Sequence, residues 1–88
     1  MATKVLAGEL NLPILTGAAT SFSEATVVRL VNNNSSAAVV TVVETQSGTG
    51  IGSFTMPGNT VEYLEKTASH CVFAVGGTVL GAKVGFTG

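Results

Sequence analysis

The sequence predicts an all-β chain, a small antiparallel β-sandwich of about seven strands with immunoglobulin-like or jelly-roll topology. Three observations carry this expectation. Short runs rich in Val, Ile, Thr and Phe recur between Asn-, Gly- and Pro-containing turns, and the stretch from Ala25 to Lys66 alone reads as four strands. Apolar and polar residues alternate with period two in the first strand and again over residues 78–87. No stretch carries a helical period or a helix cap. Short strands with closely spaced turns favour a sandwich over a closed barrel.

Along the chain, residues 4–15 begin as a half-buried strand, with Leu6, Leu10 and Leu12 on one face and Glu9 and Asn11 on the other. Pro13 cannot donate to a ladder and marks an edge or a strand end, so residues 1–16 read as an N-terminal arm or edge strand of the single domain 1–88. Residues 16–21 form a loop, and Phe22, alone between serines, is a core plug or an interface anchor. Ala25 to Val31 is a strand whose phase Arg29 sets: Val28 and Leu30 point in, Val27 and Val31 share the outer face with Arg29. Asn32 to Ser36 is a turn. Ala37 to Glu44 is apolar on both phases, as a strand central to a sandwich or lying at an interface would be.

Gln46 to Gly50 turns the chain into Ile51–Met56, with Phe54 and Met56 on one face and Ser53 and Thr55 on the other. At Pro57-Gly58-Asn59 the proline presets one turn dihedral and the glycine supplies the positive one. The charges of Thr60 to Lys66 suit an exposed or edge strand. His70 to Val75 is a strand ended by Gly76-Gly77. In the last strand Leu80, Ala82, Val84 and Phe86 face one way, and Val79, Gly81, Lys83, Gly85 and Thr87 the other. The two glycines in that face mark close approach of another backbone or a local bulge.

Composition bounds function. A chain of 88 residues has a thin stability margin of its own. With Cys71 as its one cysteine it has neither an internal disulfide nor a cysteine metal cluster to help, which leaves oligomerisation or docking on a larger partner. Charged residues make up 10% of the chain, against about 25% in an ordinary soluble domain, and none is Asp. Such a surface is either largely covered by partners or polar without charge. Net charge is −1, and four dispersed basic residues do not form the face that nucleic acid requires. No apolar run approaches the roughly 18 residues of a membrane-spanning helix, and Glu9 and Asn11 interrupt any signal-like core.

No catalytic constellation assembles. His70 and Cys71 are adjacent on a strand and therefore point to opposite faces. Glu62 and Glu65 fall on opposite phases, a Ser-His-Asp triad lacks its Asp, and one His, one Cys and scattered Glu offer no metal-ligand spacing. Gly48-Thr49-Gly50-Ile51-Gly52 has no following Lys or helix, so it is a hairpin turn rather than a phosphate loop. The chain is expected not to be an enzyme and to need no cofactor. What remains is apolar surface beyond the needs of one sandwich face: Val27, Val31, Val39, Val43 and Val79, with Leu64 as a further candidate. Together with the arm residues Leu12, Pro13, Ile14 and Leu15 and the flat face at Gly81 and Gly85, these are the expected protein-interface residues.

The text Ile51-Gly-Ser-Phe-Thr-Met-Pro-Gly-Asn-Thr-Val-Glu-Tyr-Leu-Glu-Lys, with Val72-Phe73-Ala74 and the closing Ala82-Lys83-Val84-Gly85-Phe86-Thr87, resembles small virion proteins of marine tailed bacteriophages, cyanophages in particular. The resemblance runs from about Val27 to the C-terminus. It implies a non-enzymatic structural role, a capsid decoration or cement protein in the virion, assembled in the host cytoplasm. The implied partners are its own copies and the major capsid protein or other virion proteins, with no nucleic acid and no membrane. The alternative is a receptor- or carbohydrate-binding module on a tail or fibre. The absence of Trp and the single Tyr63 speak against sugar stacking.

Overall fold

The computed structural model describes residues 2–87. Its strands are β1 (Ala2–Val5), β2 (Leu10–Asn11), β3 (Val27–Asn32), β4 (Ala38–Val43), β5 (Gly50–Met56), β6 (Thr60–Glu65), β7 (Cys71–Val75) and β8 (Val79–Thr87), with a 3-10 turn at Thr16–Ala18. All pairings are antiparallel. One sheet runs β1-β8-β3-β6, with β2 also on β8, and the other runs β5-β4-β7. β1 pairs with the end of β8 and β2 with Leu80 and Gly81, so the two fill one strand position interrupted at residues 6–9.

From there the chain crosses to the other sheet. Ala74 N donates to Pro13 O at 2.9 Å, and Thr20 and Val72 exchange hydrogen bonds of 3.1 and 2.8 Å along the free side of β7. In an immunoglobulin-like sandwich the last two strands share a sheet. Here β7 and β8 lie in different sheets, and β8 sits between β3 and the N-terminal strands. This is the jelly-roll arrangement, with residues 13–20 standing in for its second strand.

Pleating explains which residues make the core. Val28, Leu30, Val40, Met56, Val72 and Val79 are fully buried between the sheets. β4 is apolar on both phases because it is the central strand of its sheet, and charged β6 is an edge. Two expectations need correction. In β8 the inward phase is the opposite one: Val79 is 0% exposed, Gly81 lies under Phe22 and Leu12, and Lys83 reaches Ser23 O at 3.0 Å. Ala82 and Val84 are nevertheless buried, on the outer face; the side chain of Phe86 lies outside the described part of the structure. Among Leu6, Leu10 and Leu12 only Leu12 is buried; Leu6 and Leu10 are exposed at the sheet edge, although Leu6 N still donates to Lys83 O at 2.9 Å.

Asn32 is not in the turn but is the last residue of β3, fully buried and paired with Thr60 and Val79. Its Nδ2 lies 3.0 Å from Ser36 O, 3.1 Å from Met56 O and 3.3 Å from Pro57 O, so two protons serve three carbonyls. Its Oδ1 accepts from Asn34 N at 3.1 Å and Asn34 Nδ2 at 3.3 Å, and the same Nδ2 donates to Thr78 O at 2.6 Å. One pair of asparagines thus joins the β3–β4, β5–β6 and β7–β8 turns. The 57–59 turn differs from expectation in one respect: the positive dihedral is at Asn59, φ 58°, not at Gly58. Gly58 is there for room, since a Cβ would stand 2.5 Å from Ser35 O and 2.6 Å from Asn34 O.

A second constraint sits at the opposite end. Phe22, Ser23 and Glu24 all adopt left-handed backbone, φ 53°, 55° and 57°. For L-residues this costs about 1–2 kcal/mol each. Hydrogen bonds offset part of it: Ala25 N donates to Ser21 O at 3.1 Å, Glu24 N to Ser21 Oγ at 3.2 Å, and Phe22 N to Thr20 Oγ1 at 3.1 Å. The turn drives the Phe22 ring into the core above Gly81, where a Cβ would meet Phe22 Cζ at 2.6 Å and Leu12 Cδ1 at 2.9 Å. The close approach expected at this glycine is real, but it is of side chains rather than backbone.

Replacing Asn32 with Leu should lower unfolding free energy by about 3 kcal/mol, because buried carbonyls lose their donor; urea denaturation measures it. Gly81→Ala should cost about 1–3 kcal/mol through overpacking. Gly85→Ala, whose Cβ would meet Leu6 Cδ1 at 3.5 Å among the described residues, should stay within about 0.5 kcal/mol of wild type in the same assay.

Candidate functional site

The sandwich presents two outer faces, and they differ in how their apolar residues are covered. On the β1-β8-β3-β6 sheet, Val27, Arg29 and Val31 point outward, opposite Glu65, Tyr63 and Val61 of β6. Arg29 Nη1 lies 3.8 Å from Glu9 Oε2. Thr3 Oγ1 donates to the Tyr63 hydroxyl at 3.4 Å across the face. Hydrogen bonds from Thr3 and then Arg29 hold the Tyr63 hydroxyl below its ordinary pKa. Val27 and Val31 are half-exposed; Val27 lies opposite Glu65, whereas Val31 lies between Leu80 and the exposed Val61.

The outer face of β5-β4-β7 is different. Its three strands contain no charged residue. Val39 of β4 stands directly opposite Val75 of β7, at 43% and 50% exposure. Thr41 and half-buried Phe73 form the next outward pair, and Thr55 and Ser53 extend the face onto β5. Ile14 and Leu15, each 65% exposed, follow the Pro13–Ala74 hydrogen bond at the rim of β7. Val39, Val75, Ile14 and Leu15 therefore form one uncharged apolar stripe.

Of the residues expected at an interface, Ile14, Leu15 and Val39 meet here, with Pro13 half-buried beneath the arm. Val27 and Val31 lie on the other face. Leu12, Val79 and Gly81 are inside the core, and Val43 is buried with Ala19, Cys71 and Phe73 under residues 16–20, so none of these four is available to a partner. Gly85 is half-buried beside Leu6. Val75 was missed because its strand was read without a phase. The register of β7 against β4 supplies that phase, and the sequence alone does not state it.

His70 and Cys71 stay apart. Cys71 is in the Val43 cluster, its Sγ 3.8 Å from Ser69 O, whereas His70 lines a cleft between the β5 and β6 edges. Among the described residues no cluster of His, Cys, Asp and Glu could hold a metal ion. The cleft has a volume of about 330 Å³ and is walled by Val42, Ile51, Phe54 and Leu64, with Lys66 at its floor. Lys66 is only 8% exposed, and its ammonium donates to Ala68 O at 3.1 Å and Thr67 O at 3.3 Å. Burial pushes its pKa below the ordinary lysine value of 10.5. Between the lowered folded value and 10.5 the unfolded chain holds more protons, so stability rises with pH across that window. Urea denaturation at increasing pH up to the ordinary lysine value of 10.5 should show this gain, and Lys66→Met should remove it.

No protein-family model, no curated protein and no solved structure matches the chain.

Proposed function

We propose that the chain is a non-enzymatic structural protein of a virion, a decoration or cement protein that docks on the assembled capsid shell and stabilises it. The observation that carries this reading is the uncharged stripe of Val39, Val75, Ile14 and Leu15 on the outer face of β5-β4-β7. The resemblance of residues 51–66 and 82–87 to small phage virion proteins points the same way. The mechanism is passive. Fully burying a Val, Leu or Ile side chain contributes about 1.5–3 kcal/mol. Four side chains that are already about half covered contribute roughly half of that each. The sum is comparable to the lower end of the cost of association, about 4 kcal/mol. One stripe alone therefore binds weakly, and useful affinity comes from engaging several stripes at once on a shell that repeats its own surface.

The purified chain should co-sediment saturably with capsid shells of marine tailed phages and raise the temperature at which those shells disrupt. The double variant Val39→Glu, Val75→Glu, with unchanged circular dichroism, should bind at least about tenfold more weakly, since each carboxylate would have to be desolvated. A wild-type chain that stays in the supernatant at every concentration refutes the docking role.

A further inference from the structure

We infer that two copies of this chain join edge to edge through β5, antiparallel, in a twofold dimer whose sheet runs β7-β4-β5 of one copy into β5-β4-β7 of the other. A sheet edge exposes unpaired N–H and C=O groups, and folded chains guard such edges with charge, irregularity or a cover. Three of the four edges here are guarded. The β1/β2 edge is interrupted at residues 6–9 and carries Lys4 and Glu9. β6 carries Glu62 and Glu65. The free side of β7 is occupied by residues 13–20. β5, whose sole strand partner among the described residues is β4, is seven residues long and has no charge and no proline; its register against β4 shifts at Gly50–Gly52 and is regular from Gly52 to Met56.

The glycines of β5 supply a second, independent observation. Gly50 and Gly52 do not adopt positive φ, and a Cβ built on either would meet nothing within 4 Å. Gly50 lies where the register against β4 shifts between Val42 and Val43, but at Gly52 nothing within the chain requires glycine, although glycine weakens a strand. An antiparallel pairing centred on Ser53 accounts for Gly52. It sets Gly52 against Phe54 of the partner subunit, so a large side chain lies across bare backbone at both symmetry-related positions, a known way of sealing edge glycines. This large-against-small match arises when β5 is read against itself, which identifies the occupant as a second copy. With no charge on the strand, self-pairing brings no like charges together. The cleft lined by Ile51, Phe54 and Leu64 opens along the same edge, and an added strand lies across its mouth.

The twofold axis of an antiparallel edge pairing stands perpendicular to the sheet, so both outer faces look the same way. Resting on the docking role above, the dimer then presents two stripes of Val39, Val75, Ile14 and Leu15 to one surface.

Sedimentation equilibrium of the chain alone should return twice the 8.8 kDa chain mass. Ser53→Lys places two ammonium groups opposite each other at the axis and should weaken the dimer on the order of 100-fold. Mixing Ser53→Lys with Ser53→Glu should restore a dimer of one copy of each, which also shows that both variants fold. Val61→Lys on β6 should leave the dimer unchanged. A monomer at all concentrations, a Ser53→Lys dimer of wild-type strength, no recovery on mixing, or equal loss with Val61→Lys would each overturn the pairing. The shells are absent from this measurement, so a monomer counts against the dimer alone and a dimer that fails to co-sediment counts against the docking role alone.

Discussion

The structure depends on one buried amide. Asn32 ends β3 inside the sandwich, where an isolated polar side chain would be costly. It is tolerated because every polar atom it carries is engaged, and among the described residues no buried side-chain nitrogen or oxygen is left without a partner. Its bonds run to residues 4, 24 and 25 positions away, so it couples turns that the strand ladders leave independent. An apolar residue of the same size would fill the space but would leave the carbonyls of Ser36, Met56 and Pro57 without this donor. Asn34 extends the network to Thr78, and Gly58 lets the neighbouring turn approach close enough to share it.

The other end of the sandwich is held by shape instead. Gly81 leaves a hollow on β8, and Phe22 and Leu12 fill it from two different segments. Filling it from the loop side requires three consecutive left-handed residues, and the backbone strain is set against burial of an aromatic ring. The small chain thus obtains its core from both its first strand position and the loop after it. Residues 13–20 remain attached to β7 for the same reason: they lie between Leu12 and Phe22, two anchors that are both buried.

Much of this was legible in the residues. The alternation around Arg29, the double apolar phase of β4 and the charges of β6 each reported a local environment, and each is where it was expected. The inward side of β8 was not legible because apolar content points the other way: Leu80, Ala82 and Val84 outweigh Val79 and two glycines. The inward side is decided by Phe22 and Leu12, which are distant in sequence. Asn32 was hidden for a similar reason. A polar residue opening a run of Asn and Ser reads as a turn unless its distant partners are known. For the candidate site, Ile14, Leu15 and Val39 could be found from surplus hydrophobicity. Separating them from Val43 and Val79 required knowing that residues 16–20 fold over one part of the sheet and that β8 faces inward with its glycines.

The two ends of the sandwich also differ in how they would receive foreign sequence. At the Asn32 end, three turns share hydrogen bonds and backbone contacts, so lengthening any one of them disturbs the other two. The β4–β5 turn at the opposite end is exposed from Glu44 to Ser47, and among the described residues its side-chain hydrogen bond to the rest of the chain is Gln46 Nε2 to Ala19 O at 2.9 Å. Exposed, lightly tied turns are where inserted peptides are best tolerated. A tag or displayed epitope placed after Ser47 would project away from the asparagine network, leaving the fold's most interdependent contacts intact.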